Sequence, residues 1–392
     1  MRAMGNPEAN ITESRTYYYG VDILRFSAAL FVLIYHLGYS AWFNQSSAFA
    51  GEFSGVSSPD MFKSWAWFGW IGVEIFFVIS GFVICQSASR YGFISFVRSR
   101  VVRLYPAVWI VAPISCAAAI GLGMTDVSEG LYLTLKTMTL FPLYPWVDPV
   151  YWTLAVEIVF YAVVSLFILK GRWGWIYGWA VIVSLACLMF NALAIYSVLQ
   201  HDSDATLGLP LQVIRLGFLS YGAFFAVGIF LWYLVTGRKK SSPEMFVAIV
   251  ACTLELIVHV LYVGQKSGAG YGVGDSVVPV AVFLIALAYL YISVRWPSLF
   301  SGMGTLFCKL AKVAGRTTYP LYLLHFTAGV YLMSLFVSIG FEGEVMISFV
   351  FFVLVGLSYV VSEYLEPQVA FRIKSLYDFV ASFLFHLKKD QG

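Results

Sequence analysis

Residues 21–43 read VDILRFSAALFVLIYHLGYSAWF, and this stretch decides the class of fold. A helix crossing a bilayer needs about 20 mostly apolar residues at 1.5 Å each, which is what this run supplies. It also carries Asp22, Arg25 and His36, groups that are costly in lipid and therefore normally face a cavity or a partner. Arg25 and His36 stand eleven residues apart, close to three full turns, so they share one helix face. One face can therefore line one channel, with Arg25 near a membrane boundary and His36 about 16 Å further in.

The rest of the chain repeats the pattern. Hydrophobic residues make up 60% of 392 positions and charged residues 11%, against roughly 25% in a soluble domain. Apolar runs lie at about 21–43, 66–86, 101–121, 150–168, 173–199, 211–235, 245–263, 277–294, 318–339 and 345–363. The expectation is an all-α integral membrane protein of about ten transmembrane helices. With both termini cytoplasmic, 19 of the 24 Lys and Arg residues fall on the inner side, as the positive-inside rule requires. This divides the chain into a cytoplasmic segment 1–20, a membrane domain 21–366 and a cytoplasmic tail 367–392. The first run lacks a small-residue cleavage site, so it is expected to remain as a span rather than leave as a signal peptide.

The net charge of +3 is explained by topology and gives no reason to expect nucleic-acid binding. Cys85, Cys116, Cys187, Cys252 and Cys308 show no CxxC spacing, which argues against a disulfide framework or a zinc centre; no metal is expected. No internal repeat is evident, which weakens a transporter built from inverted halves. The long outer loops 44–65, 122–149 and 264–276 are rich in Gly, Ser, Pro and aromatic residues, suited to capping a cavity or lying in the interface.

The candidate site residues are the ionisable groups within spans: Asp22, Arg25, His36, Glu74, Glu157, Glu255, His259, His325 and Glu363. Arg25 has a simpler reading as an interface residue paired with Asp22, and His36 as a helix-packing donor. Arg98, Arg100 and Arg103 open the third helix; they can clamp phosphates or simply mark the inner membrane edge. Glu157 is at a depth His36 can reach, where a carboxylate would fix the imidazole tautomer. His325 serves the same channel or bonds a neighbouring helix. Glu255 and His259, one turn apart, are expected to satisfy each other as a structural pair.

Several of these stretches together resemble the membrane acyltransferase 3 family. They are Gly20–Arg25 with Tyr35 and His36; Gly72–Phe82; Arg100, Arg103, Leu104, Tyr105 and Pro106; Trp152–Tyr161; and Tyr319–His325. Thr153 stands where the family commonly has Ser, Thr318 where Ser commonly precedes the tyrosine, and Pro320 is unusual in its motif and is expected to reshape the start of the ninth helix. The chain ends soon after the tenth run, so the membrane domain is expected to act alone, without the hydrolase-like domain some members carry.

The resemblance implies a polytopic protein of a bacterial inner membrane that moves an acyl group from cytoplasmic acyl-CoA, most simply acetyl-CoA, to an acceptor hydroxyl on a glycan or lipid-linked saccharide. Arg100 and Arg103, with Arg25 deeper and Tyr105 nearby, would hold the donor phosphates. His36, oriented by Glu157, would act as general base or as transient acyl carrier. Ser80 or Tyr322 would donate to the thioester oxygen, and Trp152, Tyr161 and His325 would line the channel. The rival expectation is a secondary transporter of an anionic solute in which His36, Glu157 and His325 relay protons; broken helices, its usual mark, are not apparent in the sequence.

Overall fold

The computed structural model describes residues 16–389 apart from 46, 48, 50 and 202–205. All regular structure among these residues is helical. The main helices are α1 (Tyr19–Tyr35), α2 (Ile71–Ala88), α3 (Phe93–Gly121), α4 (Val127–Met138), α5 (Tyr151–Leu169), α6 (Trp175–His201), α7 (Gly222–Val235), α8 (Pro243–Ser267), α9 (Val277–Arg295), α10 (Thr305–Leu324), α11 (Thr327–Ser338), α12 (Gly343–Val360) and α13 (Glu366–Lys389). Eight helices of the described residues are long and apolar enough to cross a membrane, as expected of a multi-pass integral membrane protein.

The other two expected spans depart from a simple rod. Residues 211–235 contain a short helix, Leu211–Leu216, followed by α7, which is only 14 residues long. Packed between α2, α6 and α8, α7 is buried from Gly222 to Tyr233, so it is apolar all round rather than on one stripe. The expected span 318–339 is not continuous. Helix α10 begins earlier, at Thr305, passes through Pro320, and meets α11 at a 73° bend around His325 and Phe326. This corrects the expectation that broken helices are absent, and it places the disturbance five residues beyond Pro320, not at the helix start.

Glycines set the closest helix contacts. A Cβ on Gly81 of α2 would strike the Phe225 carbonyl of α7, and one on Gly228 of α7 would strike the Val78 carbonyl in return. Small residues facing each other let backbones approach closely, the main source of attraction between helices where lipid is already apolar.

Three local irregularities matter for the site. Helix α1 ends in a π-helical turn, His36–Ser40, where the Ala41 amide bonds the His36 carbonyl five residues back. A second π turn, Val361–Leu365, joins α12 to α13, so no break marks the boundary drawn at 366. The α10–α11 bend is held by Asp148, fully buried in the segment before α5, whose carboxylate accepts from the Thr327 amide at 3.1 Å and the Val150 amide at 3.0 Å. Asp148 thus caps the first turn of α11.

Of the three long loops, 44–65 is tied to α12 by Ser57 and Met61 donating to Glu342 and Glu344. The loop after α8 stacks Tyr271 on Trp67 and bonds it to Tyr39 at 3.0 Å. Residues 122–149 contain α4, whose Leu131, Tyr132 and Leu135 are exposed.

Candidate active site

Two cavities share a wall within the bundle. The first, about 260 Å³, is lined on its polar side by Arg25, Arg100, Arg103, Ser80, Glu157, Tyr161, Thr318, Tyr319 and Tyr322. Three guanidiniums thus face a single carboxylate. Glu157 is already engaged, accepting from Ser80 Oγ at 2.9 Å and from the Tyr161 hydroxyl. Arg100 donates to Ser87 at 3.2 Å and to Ser99 at 3.1 Å. Arg103 Nη2 is buried without a hydrogen-bond partner among the described residues. A buried donor on a cation is costly to leave unmade, so this arrangement is suited to an anion.

The second cavity, about 170 Å³, contains His36 among its lining with Trp70, Glu74, Trp152, Arg215, His259, Lys266 and Phe326. Tyr322 and Val73 line both cavities and form the wall between them. Arg25 and His36 do share a face of the first helix, but they open into different chambers rather than one channel.

His36 does not meet Glu157. Its Nδ1 lies 3.0 Å from Nε2 of His325 and 3.1 Å from the Val32 carbonyl. His325 Nδ1 in turn lies 2.6 Å from the Tyr322 carbonyl. A carbonyl only accepts, so in the neutral pair His325 carries its proton on Nδ1 and donates it there. Its Nε2 is then an acceptor, and His36 must donate to it from Nδ1, with the Val32 carbonyl sharing that proton. This leaves Nε2 of His36 as the bare ring nitrogen. His325 is fully buried, whereas His36 is partly exposed to the cavity. The bend that ends α10 sets His325 in place, and Asp148 holds that bend from the α11 side.

The sequence matches the acyltransferase domain family, acyltransferase 3, over residues 18–363, a stretch that contains every residue lining the two cavities. The chain belongs to that family. Two Staphylococcus aureus proteins, from strains COL and MSSA476, each named "Putative O-acetyltransferase", are 26% identical to it over 383 residues. The alignment takes in 88% of this chain and 56% of theirs, so the chain spans a little over half their length. No solved structure matches.

Within this acyltransferase-family chain, the sequence candidates divide cleanly. Arg25, Arg100, Arg103, Ser80, Glu157 and Tyr161 meet in the first cavity, His36 and Trp152 in the second, and Tyr322 borders both. His325 sits behind His36. Tyr105 reaches neither cavity; its hydroxyl donates to the Thr139 carbonyl at 3.2 Å on the bundle's outer side. Asp22 accepts from the Tyr17 hydroxyl at 2.6 Å, and Glu363 pairs with Arg316 at 3.1 Å.

Glu255 and His259 are neighbours as expected, but Glu74 joins them from α2, its carboxylate 3.7 Å from His259 Nδ1. Arg215 and Trp70 were not distinguishable in sequence from ordinary interfacial or packing residues. Arg215 lies over the Trp152 ring at 4.1 Å, and Trp70 stacks on His259 at 3.9 Å. An arginine stacked on an indole at a cavity wall is a signal of position that only the folded chain carries.

Proposed function

We propose that this protein transfers an acyl group, most simply acetyl, from acyl-CoA to a hydroxyl on a glycan or lipid-linked saccharide acceptor, within the inner membrane of a bacterium. The observation that carries the reading is the pair of chambers meeting at Tyr322, one rich in unmatched guanidinium and the other holding the bare nitrogen of His36. The guanidinium cavity would take the phosphate-bearing arm of the donor, entering from the cytoplasmic side. Its volume, near the lower limit of about 300 Å³ for small-molecule pockets, suits an extended arm rather than a whole nucleotide. Arg103 and Arg25 would bind the phosphate, and the thioester would reach the Tyr322 wall.

His36 Nε2 would remove the acceptor's hydroxyl proton as the oxygen attacks the thioester carbonyl. The positive charge that develops on His36 is stabilised through its Nδ1–H donated to His325. Tyr322, lining both chambers, is positioned to donate to the oxyanion, and collapse of the tetrahedral intermediate expels CoA thiolate, which takes up the proton from His36. Trp152 and Arg215 would border the acceptor. In this scheme Glu157 does not orient His36; it holds Ser80 and Tyr161 and keeps the donor chamber from being purely cationic.

The broken α10–α11 span favours one rival, a secondary transporter, because such breaks line solute pathways. Purified protein in liposomes, supplied with radiolabelled acetyl-CoA and candidate glycan lipids, separates the two. Label on the acceptor, lost in His36→Ala and reduced in Arg103→Ala, supports acyl transfer. Proton-coupled anion uptake with no donor consumption supports transport.

A further inference from the structure

Glu74 on α2 and Glu255 and His259 on α8 converge beside the His36 chamber, and each offers one ligand atom with all of these atoms within 4.8 Å of one another. Both carboxylates are almost completely buried, at 1% and 3% exposure, and each keeps one oxygen with no hydrogen-bond partner among the described residues. His259 Nδ1 lies 3.7 Å from one carboxylate and 3.8 Å from the other. Those separations are too long for hydrogen bonds. They approach the roughly 3.4 Å edge of a tetrahedron whose ligands each lie about 2.1 Å from a central ion.

We propose that Glu74, Glu255 and His259 bind a single divalent metal ion, zinc before manganese. Two carboxylates brought together in a buried interior carry a cost that a positive charge held between them relieves. A divalent cation neutralises them while satisfying the oxygens left without partners. One imidazole and two carboxylates form a mixed nitrogen and oxygen set suited to zinc, and three protein ligands leave a coordination position open. Glu74 and His259 both line the His36 chamber, so an ion held by them would border it. Trp70, stacked on His259 at 3.9 Å and nearly parallel, fixes the ring's plane. The sequence alone pairs Glu255 with His259 and gives no reason to bring in Glu74, about 180 residues away on another helix.

Binding itself makes no use of acyl transfer. If the chamber takes an acceptor, which rests on the function proposed above, the ion would present a polarising contact to its oxygen. The test therefore reads metal rather than turnover. Protein purified through a tag without histidine, dialysed against micromolar zinc or manganese and assayed by mass spectrometry, should retain about one ion per chain. Glu74→Gln combined with Glu255→Gln should lose it with an unchanged size-exclusion profile. Because that double variant risks misfolding, His259→Cys supplies an independent reading: with cobalt in place of zinc, it should gain a thiolate-to-metal absorption band absent from the wild type. Wild-type protein that retains no ion, a double variant that retains as much as the wild type, or a cobalt-treated His259→Cys protein without the band, would each overturn the proposal. Retention of metal by a protein that transfers no acyl group would leave the site standing and remove the acyltransferase reading alone.

Discussion

Replacing His325 with alanine tests the histidine pair more sharply than replacing His36. In the resting site His36 donates from Nδ1 to Nε2 of His325 at 3.0 Å, a neutral bond worth about 0.5–1.5 kcal/mol. When His36 takes the acceptor's proton the same bond becomes charge-assisted, worth about 1.5–3 kcal/mol. The difference, about 1–1.5 kcal/mol, is felt only as the reaction proceeds, so losing the bond altogether should lower kcat by roughly 5- to 12-fold, at 1.4 kcal/mol per tenfold. In the proposed mechanism His36 is the base, and removing it should cost about 10²–10⁴-fold. The Val32 carbonyl still accepts from His36 Nδ1, so the tautomer survives in His325→Ala and the loss should stay well short of that in His36→Ala. His325→Gln, which keeps an acceptor near the position of Nε2, should recover most of the rate. The assay is single-turnover transfer from labelled acetyl-CoA in liposomes, with donor affinity measured separately. In the double variant the His325 replacement should add nothing to the loss of His36, because it acts through that ring. Equal losses in the two single variants would make His325 a base in its own right, and no loss in His325→Ala would show the contact to be packing; either result refutes the positioning argument.

Other outcomes follow from the remaining geometry. Arg103→Ala should weaken CoA binding roughly 10- to 100-fold by removing a charge-assisted donor, and Arg103→Lys should restore only part of it, measured by isothermal titration. Asp148, outside the spans, has a carboxyl pushed up from 3.8 to about 6 because burial outweighs the amide bonds from Val150 and Thr327. The folded state holds this proton more tightly than the unfolded chain, so the stability it contributes is complete below about pH 4. It is lost as pH rises through about 6, a change of up to roughly 3 kcal/mol. Thermal unfolding in detergent from pH 4 to 7 should show that fall, and Asp148→Asn should flatten it. Gly228→Ala forces a Cβ into the Val78 carbonyl and should destabilise the bundle by about 1–3 kcal/mol, read as a lowered unfolding temperature.

Much of the fold was legible because lipid imposes a simple rule: each apolar run must satisfy its backbone internally, so each becomes a helix. All ten runs fall on helices. Composition could not show that α7 would shorten to 14 residues, because apolar residues suit lipid and a protein interior equally well. The guanidinium-lined cavity was legible for a related reason. Arg25, Arg100, Arg103 and Glu157 are conspicuous wherever charge is costly, and they gather as their cost suggests. Tyr105 was misplaced because its neighbourhood in the chain is that of Arg103, while its own side chain points the other way around α3.

Pairing between helices is what the sequence concealed. Depth alone allowed His36 to meet Glu157, and it allowed His325 equally; the choice was made by backbone irregularity. A π turn begins at His36, and the α10 helix stops at His325, so each imidazole stands where the regular helical ladder is interrupted. Interruptions leave carbonyls and amides to be satisfied by side chains, and here they are: the Tyr322 carbonyl accepts from His325, and the Thr327 amide donates to Asp148. Irregular backbone in a membrane protein persists only where such partners exist. The partners of the bend thereby fix which nitrogen of His325 carries its proton, and through it which nitrogen of His36 is free. Asp148→Ala should for this reason lower the rate without touching either cavity, since a bend that relaxes carries His325 away from His36.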